Sequence, residues 1–162
     1  MFIVGNTLVK NYEFVAECDP AIDSDREGFA DTYERYLELG DASLLPLKSG
    51  EKPTRLLLRH VEGAARARLD RLMAPLQRLP EGQRQDAMLE VFYIAAMLGL
   101  AGWSDLPTAT GGDARFREQV DQGNGIPHAS EESMALLQRL DKDLPYQIGA
   151  RVWRATYLSP LS

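Results

Sequence analysis

The stretch MLEVFYIAAMLGLAGW, residues 88–103, leaves few choices of fold. Met88, Leu89, Val91, Phe92, Ile94, Ala95 and Leu98 make it apolar almost all round at helical spacing. Such a helix must be covered on every side. Nothing in the chain reaches the length of a membrane span, about 20 consecutive apolar residues, so the covering has to come from the rest of the chain. A central core helix over residues 83–100 is predicted, ended by Gly99, Gly102 and Trp103, with the other elements arranged around it.

Those elements can be read in turn. Residues 62–79 form an amphipathic helix with Ala65, Leu69, Leu72, Met73, Leu76 and Leu79 on its apolar face, which Pro75 kinks or divides. Ser130, Ser133, Glu131 and Glu132 open a helix through about residue 140, with Met134, Leu137 and Leu140 inward. A last helix follows Pro145, over 146–157, with Ile148, Val152 and Ala155 on one face and Trp153 on an adjoining one. Residues 2–4 and 8–16 read as strands around a Gly5-Asn6 turn, stopped by Asp19-Pro20. Residues 54–61, TRLLLRHV, read as a strand with Leu56, Leu58 and His60 on one face; leucine and arginine also suit a helix, but Pro53, Val61 and Gly63 favour the strand. Residues 104–127 are the longest irregular stretch, in which DARFREQV could form a short helix. The reading is a single helix-dominated α+β domain, with four to five helices packed on a small N-terminal antiparallel sheet. Residues 1–61 form a strand/helix/strand part and 62–162 a helical part with a mobile loop near 104–127.

One stretch invites a metal. DSDREGFADTYE, residues 23–34, has the spacing of a calcium loop, with Asp23, Asp25, Glu27, Gly28 and Glu34 at the required positions. A helix must precede such a loop, and here the incoming segment is strand-like and broken by Pro20. Ser24 and Glu27 instead form a capping box for a helix over 25–39, with Phe29, Tyr33, Tyr36 and Leu37 as its apolar stripe and Gly40 as its stop. No metal is expected.

Charge is unevenly placed along a chain of net charge −6. Residues 1–52 carry a net −6, residues 53–84 a net +4 and residues 85–162 a net −4. The basic stripe, with Arg66 and Arg71 among its arginines, is either matched within the chain or open to an acidic partner. It lacks interleaved aromatics and sits in an acidic chain, so nucleic acid is not expected. Cys18 is alone, so no intrachain disulfide forms, and Glu17 and Asp19 beside it discourage a thiolate. The N-terminus has no charged region ahead of an apolar run, so an intracellular chain without secretion or membrane insertion is expected. His60 and His128 lie in no zinc spacing, the serines in no nucleophile motif, and GGDAR and GNG in no phosphate loop. Neither an enzyme nor a cofactor is expected.

Residues 91–106, VFYIAAMLGLAGWSDL, a polar Gly/Asp loop, and residues 125–161, GIPHASEESMALLQRLDKDLPYQIGARVWRATYLSPL, together resemble small proteins encoded in the structural modules of tailed bacteriophages. The shared pattern is a helix ending in G-L-x-G-W, a variable loop, an I-P-x-S-like start and a terminal helix closing in a Leu-Ser pair. KPTRLLLRHVEGAARARL, residues 52–69, resembles their earlier strand-and-helix element, while residues 1–51 are unmatched. The resemblance implies a non-enzymatic tail assembly chaperone, which keeps the tape measure protein soluble while tail subunits polymerise around it. It implies protein partners from the phage tail or virion, a possible homo-oligomer, and a place in the infected host's cytoplasm or the virion. Candidate contacts are Trp103, Leu106, Met134, Leu137, Trp153 and Tyr157, each of which ordinary packing in the chain's own core would equally explain. Two further roles fit the same resemblance: a virion connector or decoration protein, and an inhibitor of a host or defence protein acting through Asp31, Glu34 and Glu38.

Overall fold

The computed structural model describes residues 2–4, 7–9, 11–108, 112–120, 123 and 125–158, and of residues 2–4 and 7–9 the backbone alone. The chain is α+β and helix-dominated, as its periodicities predict. Its strands are β1 (Phe2–Val4), β2 (Thr7–Val9), β3 (Asn11–Phe14), β4 (Arg55–Arg59), β5 (Leu100–Ser104), β6 (Glu118–Val120) and β7 (Pro127–Ala129). The helices are α1 (Phe29–Leu39), α2 (Gly63–Met73), α3 (Glu81–Gly99), α4 (Glu131–Leu140) and α5 (Leu144–Tyr157). No described helix is long and apolar enough to cross a membrane.

The apolar run at 88–103 does become the centre, and α5 lies along it. The two backbones approach so closely that a Cβ on Gly149 would sit 1.7 Å from the Phe92 carbonyl oxygen. Val91, Ala95, Ala96 and Leu98 of α3 join Ile148 and Val152 of α5 in the main core. Beneath the helices lies an antiparallel sheet in the order β3-β4-β5. Leu56 and Leu58 of its central strand are buried against them, so 54–61 is a strand. Pro75 ends α2 and begins a 3-10 turn over Ala74–Arg78, dividing the predicted helix.

Four details differ from the sequence reading. First, α3 passes straight into β5 at Leu100, where only a helix end was expected; Ala101 and Gly102 carry little strand preference, and the pairing with β4 decides the outcome. Second, the 8–16 strand is interrupted: β2 pairs with β1, β3 joins the other sheet, and Val15 and Ala16 are buried beyond it. The Gly5-Asn6 turn lies outside the described residues. Third, DARFREQV is not helical; Glu118–Val120 pairs with β7, and Arg117 exchanges hydrogen bonds with the buried Ser133 hydroxyl (2.9 Å each way). Ser130 caps α4 by accepting from the Ser133 N–H, as read. Fourth, α1 starts at Phe29 after Gly28, whose φ of 72° is left-handed, and no side chain caps it. Residues 23–28 are held elsewhere. The Asp23 N–H donates to Pro46 O (2.8 Å) and Arg26 donates to Leu47 O (2.7 Å), so the Ser24–Glu27 box has no helix start to serve. Glu34 stands inside α1, and among the described residues no three His, Cys, Asp or Glu side chains converge as metal ligands would.

The tyrosines of α1 lock it to the sheet. Tyr33 donates to Val15 O (2.6 Å) and the Val15 N–H donates to the Tyr36 hydroxyl (2.9 Å). Burial raises the phenol pKa of both. Burial likewise pushes Tyr12 up to about 12, and burial with the Asp70 hydrogen bond does the same to Tyr157. In each case the native phenol keeps its proton after the unfolded one, at about 10, has lost it. Stability is therefore full below pH 10 and falls as pH rises toward 12. Melting temperatures followed from pH 8 to 11.5 should drop steeply above 10; a flat profile would contradict this.

Asp19 ties the end of β3 to the start of β4. Its buried carboxylate accepts from the N–H groups of Ala21 and Thr54, both at 2.8 Å. Burial raises its pKa and those two bonds pull it back. Asp19→Ala strands two N–H groups, so it should cost about 2 kcal/mol in denaturant unfolding, with Asp19→Asn costing less.

Candidate functional site

An open concavity lies between α1 and α5. On α5, Arg151, Arg154 and Ala155 recur at helical spacing, and Leu158 follows just past the helix end. On α1, Glu34 and Glu38 stand one turn apart beside the buried Tyr33. The groove between them holds about 640 Å³, within the roughly 300–1,000 Å³ typical of ligand sites. Phe14, Leu37, Ala150 and Ala155 supply an apolar floor. Glu34 and Glu38 line it from α1, Arg151 and Arg154 from α5, and Glu17 from the segment after β3. Leu158 stands 58% exposed at one end.

The charges across the floor do not neutralise one another. Among the described residues, Arg151 and Arg154 have no carboxylate within ion-pair distance, 4.0 Å. Arg151 donates to Leu37 O (3.0 Å), which bridges the two helices, while its buried Nε has no acceptor. Cys18 lies nearby, its N–H donating to the Gln147 amide oxygen (3.0 Å). Burial first, then the Asp141 carboxylate, pushes its thiol up to about 12, which keeps it protonated at neutral pH.

The contacts expected from sequence fall elsewhere. Leu106, Met134 and Leu137 are fully buried in the main core, where they fill the chain's own interior. Trp103 is half-buried, edge-on to Phe116 at 5.1 Å, and its indole N–H donates to Ala114 O (2.8 Å). Trp153, Tyr157 and Arg66 do meet, along the line where α2 faces α5. The Trp153 N–H points to Met73 Sδ (3.0 Å), Tyr157 donates to Asp70 (2.6 Å), and the Arg66 guanidinium lies 5.1 Å from the Tyr157 ring centre. Arg71 is exposed on α2. A shallower hollow of about 320 Å³, lined by Met73, Leu76, Met88 and Tyr157, opens at that edge. Arg59 of the basic stripe is spent within the fold, paired with Glu118 and reaching Leu100 O.

His60 packs against Tyr12 with the rings tilted and their centres 5.1 Å apart, whereas His128 lies in β7 of another sheet. The sequence singles out Glu34 and Glu38 only as exposed acids of α1; their meeting with Arg151 and Arg154 escapes it because the two helices lie more than 100 positions apart. The Arg151/Arg154 pair, one turn apart on α5, is the local signal it does hold. No family model, no curated protein and no solved structure matches this chain.

Proposed function

We propose that this protein is a non-enzymatic bacteriophage morphogenesis protein of the tail assembly chaperone type, which holds a segment of a tail protein, foremost the tape measure protein, in the α1–α5 groove. The observation that carries the reading is an open groove with apolar lining, whose α1 glutamates and α5 arginines form no ion pairs with each other. Helix-lined grooves of this kind take a partner by its recurring apolar anchors. A second support comes from the three stretches that carry the phage resemblance. Residues 52–69 supply β4 and much of α2, residues 91–106 the end of α3 and β5, and residues 125–161 supply β7, α4 and α5. These pack into one core, and the unmatched N-terminal part lays α1 against it as the groove's acidic wall. The chain's net charge of −6 favours a soluble complex.

Co-expression with the tape measure protein of a phage carrying this gene tests the reading. The tape measure protein should move to the soluble fraction, and purified particles should lack this chain. Stoichiometric presence in particles would make it a virion component instead. Recovery with a host protein alone would favour an inhibitor using Asp31, Glu34 and Glu38, all exposed on α1.

A further inference from the structure

We infer that the groove selects an amphipathic helical segment whose apolar stripe is flanked by Lys or Arg on one side and by Asp or Glu on the other. The inference rests on the groove being the partner's site and adds the chemistry of what fits there. Both walls are helices, so their charges run in rows along the groove. Glu34 and Glu38 are spaced i,i+4 and Arg151 and Arg154 i,i+3, each about one helical turn apart. A helix laid on the floor presents its flanking residues at the same step, so basic residues meet α1 and acidic ones meet α5.

Arg151 and Arg154 give the acidic flank its partners. Among the described residues neither has a carboxylate within 4.0 Å, so carboxylates of the occupant meet guanidinium groups that no acid of the fold pairs with. A segment acidic on both flanks is repelled by Glu17, Glu34 and Glu38, and one basic on both by Arg151 and Arg154. Turning the mixed segment end for end exchanges its flanks. The two walls therefore fix the direction in which it lies, as flanking charges do in paired helices.

Three labelled synthetic peptides of equal length test this by fluorescence anisotropy with the full chain. They share one leucine stripe and carry mixed, all-lysine or all-glutamate flanks. The mixed peptide should bind about tenfold tighter than either other, a modest gain per exposed pair summed over each wall. Glu34→Lys with Glu38→Lys should shift preference to the all-glutamate peptide, and Arg154→Glu to the all-lysine one. These side chains are exposed, so melting temperatures should hold. Equal binding of all three, binding of none, or a ranking unmoved by the variants overturns the inference. If the tape measure protein is nonetheless kept soluble, the chaperone reading survives that failure; if the ranking holds but the tape measure protein stays insoluble, the chaperone reading falls alone.

Discussion

Gly149→Ala should destabilise the protein by about 4 kcal/mol or more, at the extreme end for one added methyl. On helix propensity alone alanine would gain roughly 1 kcal/mol over glycine, so the expected sign depends entirely on packing. The obstacle is backbone: the new Cβ would meet the Phe92 carbonyl oxygen at 1.7 Å, its carbon at 2.3 Å and the Phe92 Cα at 2.7 Å. No rotamer change relieves that, so α3 and α5 must separate along the centre of the core. For a chain of this size the melting temperature should fall by roughly 10 °C. Gly99 makes the contrast. The three atoms nearest a Cβ there all belong to the Val152 side chain, the closest at 2.5 Å. Gly99→Ala should cost about 1–3 kcal/mol, and Val152→Ala in that background should recover part of it. A double-mutant cycle of thermal melts reads the difference. Near-neutral behaviour of Gly149→Ala would mean that α3 and α5 do not cross as described.

Leu137→Ala should cost about 2–5 kcal/mol, the range for emptying a fully buried leucine site. Leu137 is 0% exposed in the main core beside Met134, also 0%. Partner capture per folded molecule should stay unchanged, because the side chain faces inward. The groove pair Glu34→Lys with Glu38→Lys should do the reverse, leaving the melt in place and abolishing capture. Denaturant unfolding beside capture at matched folded concentrations separates the two. Loss of capture by Leu137→Ala with little loss of stability would restore Leu137 to the contact surface.

The pattern of residues that could be read in advance follows from how locally each is determined. The 88–103 run, the Pro75 break, the Ser130 cap and the Gly40 stop are settled within a few residues, and each stands where its neighbours put it. The elements that escaped depend on remote partners. β5 takes its strand form from β4, which lies some forty positions earlier. α1 loses its predicted first turn because Asp23 and Arg26 are engaged by Pro46 and Leu47. The same limit explains the contacts. An apolar stripe on a helix shows that a face is covered, not by what, and for Leu106, Met134 and Leu137 the cover is the chain itself. The groove needs Phe14, the α1 glutamates and α5 together, and no local spacing announces that meeting.

The central claim is that the α1–α5 groove holds a tail protein. The most direct measurement is a tagged capture from infected cells, identified by mass spectrometry. It compares the wild type with the double variant Glu34→Lys, Glu38→Lys, which makes both walls basic, at equal folded amounts. The wild type should bring down the tape measure protein and the variant should not. Equal capture by both, or capture without any tail protein, would contradict the account.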